Sequence, residues 1–144
     1  MKFNESLIPA GEALIRKVLL TNAVSSGVCG LLLLLFPGYV GDWTGLDNRT
    51  ALTETGIFLL VFVAFLVWVV SRRIVSPGSV LVVTVLDLLW VVGGVLLLED
   101  KGITMMMTVF GVWAVILVTA VVGVFAIFEA VYYWRNRAFG RQKR

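Results

Sequence analysis

Four long apolar runs, over residues 18–36, 51–70, 80–98 and 105–134, constrain this chain more than any other feature. At 1.5 Å per residue, a helix of about nineteen residues spans about 28 Å, matching a hydrocarbon core about 30 Å thick. The runs are continuous rather than alternating, so they predict helices, which satisfy their own backbone in lipid, and not barrel strands. Of 144 residues, 60% are apolar and 15% charged, and a soluble domain of that length has too little interior to hide them. The expected fold is an all-α bundle of four transmembrane helices. A cytoplasmic or interfacial segment over 1–17 precedes the membrane domain over 18–134, and a basic cytoplasmic tail over 135–144 follows it. Pro9 is expected to break the first segment. Phe36-Pro37-Gly38 lacks the small residues of a signal-peptidase site, so the first helix is expected to stay as an anchor.

The basic residues set a direction. Ten of them (Lys2, Arg16, Lys17, Arg72, Arg73, Arg135, Arg137, Arg141, Lys143 and Arg144) fall on one side of the four spans, and only Arg49 and Lys101 fall on the other. The positive-inside rule places both termini in the cytoplasm, in keeping with a bacterial inner membrane. The net charge of +3 is then a record of topology, and no nucleic-acid partner is expected. The five basic residues of the tail are expected to draw anionic headgroups. Trp68, Tyr132, Tyr133 and Trp134 are expected to form an aromatic belt at that side, with Tyr39 and Trp43 at the other. Residues 37–50 read as a loop with turn chemistry, and Asn48 as a helix cap in preference to a glycosylation site.

Asp87 is the most informative residue, because an ionisable group inside a span costs about 2.5–3.5 kcal/mol and needs compensation. It is expected about 10 Å into the third span. Asn22 and Glu129 fall in the same half of the membrane. Each of the three lies on a stripe of small or polar residues: Asn22 with Ser25, Ser26 and Cys29, Asp87 with Thr84 and Gly94, and Glu129 with Thr119, Gly123 and Ala126. Asn22 and Asp87 are therefore expected to face each other inside the bundle, with Asp87 neutral. Glu129 is expected to reach water or to pair with Arg16, Lys17 or Arg72. Two readings of the cluster are open: a structural hydrogen bond, or a polar pocket that takes up a proton, a cation or a polar head.

Trp90 sits one turn beyond Asp87, with an indole N–H that needs a partner. It reads as a plug against glycines of a neighbouring helix. The second span, nearly all Phe, Leu, Val and Ile, is expected to be the most lipid-exposed. Met105, Met106 and Met107 are expected to open the fourth span as lipid contact or packing; consecutive helical residues diverge by 100° and do not converge on one ion. With no histidine and one cysteine, Cys29, the chain has no intrachain disulfide, no His/Cys zinc site and no His-ligated haem. No cofactor and no catalytic or metal-binding residues are expected.

The string Thr21-Asn22-Ala23 with small residues to Gly30, the Leu run ending at Pro37, the Arg72-Arg73 turn and Asp87-Leu88-Leu89-Trp90-Val91-Val92-Gly93 resemble a group of small four-span bacterial membrane proteins. In outline the chain also resembles the DoxX-like four-helix proteins. The resemblance implies the architecture and no activity. The expected function is that of a non-catalytic accessory or assembly component, with a second copy or another membrane protein as partner. The alternatives are a small transporter or a proton- or cation-linked permeation protein using Asp87, and a lipid- or quinone-interacting subunit.

Overall fold

The computed structural model describes residues 9–138. The apolar runs fold into helices, most of whose starts are fixed by a polar cap or a proline: α1 (Glu12–Leu35), which follows Gly11 in a left-handed conformation, α2 (Pro37–Thr44), α3 (Arg49–Ser71), α4 (Pro77–Glu99), α5 (Lys101–Met106) and α6 (Val109–Asn136). Asn48 caps α3 by accepting from the Ala51 N–H at 3.0 Å, and Thr108 caps α6 by accepting from the Gly111 N–H at 3.0 Å. Pro37 and Pro77 open α2 and α4, where a missing N–H costs nothing. Helices α1, α3, α4 and α6 are long and apolar enough to cross a bilayer, and the chain is an integral membrane protein with an all-α four-helix bundle.

Three expectations about the spans are corrected. Residues 37–44 form α2 rather than a loop. The fourth span starts at Val109, because Met105 and Met106 belong to the short α5 and Met107 ends it. The second span, α3, is not the most exposed: 28% of its apolar stretch is buried, as in α1, against 17% in α6. Composition misleads there because Gly56 lets α3 lie close against α1, and Leu59, Phe62, Leu66 and Val69 of α3 are buried. Residues 1–8 and 139–144, within the expected N-terminal segment and basic tail, lie outside the described residues; residues 12–17 are the first turns of α1.

Helix α1 packs along α3, and α4 along α6. The two pairs meet chiefly through α1 and α6, while α3 and α4 approach each other sparsely. The α1–α3 seam is closest where Gly30 faces Gly56: a Cβ on Gly56 would lie 2.8 Å from the Gly30 carbonyl oxygen and 2.9 Å from the Leu34 nitrogen. Small residues at such seams let backbones approach in lipid.

The basic end of the bundle is bound tightly. Arg16 pairs with Glu12 at 2.6 Å and donates to the carbonyls of Val70, Arg72 and Arg73, satisfying backbone acceptors at the end of α3. Asn136 exchanges hydrogen bonds with the Ala10 backbone at 2.8 and 3.0 Å. Tyr132, expected in the aromatic belt, is buried and donates its hydroxyl to the Val75 carbonyl at 2.8 Å. The apolar core collects at this end, around Ile15, Leu19, Leu66, Val69, Val80 and Val83. In α4 burial stops at Asp87, and the twelve residues that follow it contribute nothing to the core. At the opposite end, Thr108 is hydrogen-bonded to the backbone of Trp43 and Thr44, tying the start of α6 to α2.

Candidate functional site

The buried stripes of α1, α4 and α6 converge where the core ends. Asn22 follows Leu19 by three residues on the buried face of α1, Asp87 follows Val83 by four on α4, and Glu129 follows Ala126 by three on α6. The three side chains are 0%, 3% and 0% exposed. Asn22 Nδ2 donates to Asp87 Oδ2 at 2.7 Å and reaches Glu129 Oε1 at 3.5 Å. Its Oδ1 accepts from the Ser26 hydroxyl at 3.0 Å. The amide is thus committed on both sides, and this fixes which of its ends faces the acids. Asp87 is the eleventh of the 23 residues of α4, about 15 Å from Pro77, hence near the middle of the helix and farther from its start than the apolar run alone predicts. The reason is that α4 starts three residues before that run.

Glu129 corrects the sequence reading. It is fully buried and, among the described residues, pairs with no base: Arg16 is engaged by Glu12, and Glu129 lies two turns inside α6, facing Asn22. Its carboxyl shares the Asn22 amide with that of Asp87: Glu129 Oε1 and Asp87 Oδ2 approach the same Nδ2 at 3.5 and 2.7 Å. Carboxylates only accept, so two carboxyl groups held this close attract each other only when one carries a proton. Glu129 Oε2 is buried and has no hydrogen-bond partner among the described residues. Two acids, one amide and one hydroxyl therefore form a closed polar knot with more acceptors than donors.

A cavity of about 170 Å³ lies directly against this knot. Asp87, Ser25 and Ser26 supply its polar side. Its walls are apolar and come from all of the spanning helices, among them Phe58 and Phe62 of α3, Trp90 of α4, and Leu117 and Val121 of α6. Trp90 does not plug glycines: its ring stacks on Phe58 with centroids 6.4 Å apart and planes 4° apart, across the sparse α3–α4 seam. The indole N–H donates to no acceptor among the described residues. Gly93 has open space where a side chain would point, and Gly94 faces Thr119. Phe58 and Leu117 are 50% and 65% exposed, so the cavity is one side chain away from the outside of the bundle.

Asn22, Asp87 and Glu129 are thus brought together, with Trp90 a turn away on the cavity wall. Phe58 and Phe62 were hidden from sequence reasoning. Their spacing of four places them on one face, but an all-apolar helix gives no contrast to mark that face. Among the described residues no group of three His, Cys, Asp or Glu is placed to hold a metal ion. Comparison with family models, with curated proteins and with solved structures returns no match.

Proposed function

We propose that this integral membrane protein is a non-catalytic binding component for a small lipid-soluble ligand. The ligand sits between the four spans with its polar part on Asp87. The observation that carries the reading is the cavity itself, mid-bundle and against a buried acid. A close-packed bundle with a purely structural Asn22–Asp87 bond gives no reason for such a space. An engineered apolar cavity of about 150 Å³ admits benzene, so about 170 Å³ suits one six-membered ring. Entry is lateral, from the lipid, past Phe58 and Trp90 where α3 and α4 are least in contact.

The test uses a protein with Trp90 as its sole tryptophan in lipid nanodiscs, titrated with bromobenzene. Quenching of Trp90 is expected to saturate, and to lose saturation in Val118→Phe, since Val118 lines the same space and the larger, non-quenching ring fills it. Quenching that rises only with bulk partition into lipid refutes the reading.

The protein is oriented with both termini in the cytoplasm, in a bacterial inner membrane. The ten-to-two division of basic residues supports this. So do two cation–π contacts at the basic end, Arg72 over Trp68 at 4.2 Å and Arg137 over Trp134 at 4.3 Å, a pairing suited to anionic headgroups. Reporter fusions at both ends are expected to be active only as cytoplasmic forms; a periplasmic C-terminus overturns the orientation.

A further inference from the structure

We infer that the ligand is an organic cation of single-ring size, taken up in exchange for a proton held by the Asp87–Glu129 pair. The inference rests on the cavity reading above and names its ligand class. It follows from the balance of charge and donors around the space. Two carboxyl groups are buried side by side, and Glu129 carries an oxygen with no partner among the described residues. Among the described residues no Lys or Arg lines the cavity. The Arg16 guanidinium, on the same helix as Asn22, is paired with Glu12 at the start of α1. Helices α3 and α6 bring only apolar side chains to the cavity, and α1 brings the Cys29 thiol and two serine hydroxyls; Glu129 of α6 stands behind this lining, within reach of the Asn22 amide that holds Asp87, and the Tyr132 hydroxyl is used by Val75. The site therefore has negative charge to offer and no positive charge of its own.

Two aromatic rings complete the complement. Phe58 and Trp90 line the same cavity with their rings parallel, and an aromatic ring attracts a cation within about 6 Å of its centroid. A neutral ligand uses only the volume; a cation uses the volume, the rings and the acids together. In a medium that penalises net charge, the empty site is neutral with two protons on its two carboxyls. A monovalent cation entering with loss of one proton leaves the site neutral again. The remaining proton stays on the Asp87–Glu129 pair, whose two carboxyls share the Asn22 amide. One cation in and one proton out balances the charge, with no other reactant.

The experiment measures saturable binding of labelled phenyltrimethylammonium, which has a permanent charge, to the full chain in nanodiscs, corrected with empty discs. Its neutral carbon isostere, tert-butylbenzene, is measured in parallel. The cation is expected to bind at least about tenfold more tightly than the isostere. Because binding expels a proton, its affinity is expected to rise about tenfold per pH unit wherever the exchange is one for one. Titration calorimetry in two buffers of different ionisation heat is expected to register one proton released per cation. Asp87→Asn is expected to abolish that release and to bring the two probes within about threefold of each other; Glu129→Gln is expected to abolish it as well. Saturable binding of the isostere at least as tight as that of the cation overturns the inference and leaves the cavity reading standing. Cation binding without pH dependence or proton release overturns the exchange. Saturable binding of neither probe overturns both readings. Should the variants fail to fold, the pH dependence of the native protein decides.

Discussion

Asn22→Asp destabilises the bundle by about 3 kcal/mol, although the two side chains have almost the same shape. The substitution exchanges one amide group for an oxygen at the point where Asn22 donates to Asp87 at 2.7 Å and reaches Glu129 at 3.5 Å. Losing an interhelical hydrogen bond in a membrane is a small matter, about 0.6 kcal/mol on average. The greater part of the loss comes from adding a third acceptor to a closed site that already holds two acids and an unpartnered oxygen at Glu129. Asn22→Leu, which removes donor and acceptor alike, is expected to cost only about 1–2 kcal/mol, leaving Ser26 and Asp87 short of a partner without adding charge. Thermal unfolding in nanodiscs measures the order. A second signature separates chemistry from shape: acidification gives the new carboxyl an O–H to donate, so the Asn22→Asp deficit is expected to shrink as pH falls, while the Asn22→Leu deficit stays constant. If the two variants are equally destabilised at every pH, donor supply is not what holds the knot together.

The architecture was legible because lipid imposes a one-dimensional rule: a run of about twenty apolar residues can do little else than cross. The Asn22–Asp87 encounter was legible for a related reason, since a polar group at depth must find a partner and few exist. Glu129 shows where that logic stops. Its distance from the end of the apolar run suggested an escape to water, yet α6 continues as a helix to Asn136 and carries Glu129 on the face that meets α1. Depth can be counted along a sequence; the direction a helix faces depends on its neighbours. Tyr132 was misjudged in the same way, one turn further on, as a belt residue when its hydroxyl is used inside by Val75. The cavity was not legible at all. It arises because burial along α4 ends at Asp87 while Phe58 and Trp90 bridge the gap to α3, and no local pattern records a space left between four helices. α2 was missed because Pro37, which ends the first span, also opens the next helix at its first position.

Gly56→Ala, one added methyl group, is expected to cost about 2 kcal/mol, and Gly56→Leu to prevent assembly of the native α1–α3 pair. The seam leaves no room for relaxation. A Cβ at Gly56 would stand 2.8 Å from the Gly30 carbonyl oxygen and 2.9 Å from the Leu34 nitrogen, both backbone atoms of a hydrogen-bonded helix that cannot rotate aside. The seam must then open, and its opening reaches the site: Leu59 and Phe62, on the next turn of α3, line the cavity together with Ser26 and Cys29 of α1. The variant is thus expected to lose saturable ring binding as well as stability. Gly27→Ala supplies the contrast on the same face of α1. Its Cβ would meet only the Val63 methyls at 3.8 and 3.9 Å, ordinary contact distances, so its stability is expected to stay within about 0.5 kcal/mol of the parent. Unfolding midpoints of the two alanine variants, measured in the same lipid, separate close backbone approach from a general intolerance of the helix to change. Equal midpoints would mean that Gly30 and Gly56 do not meet as described.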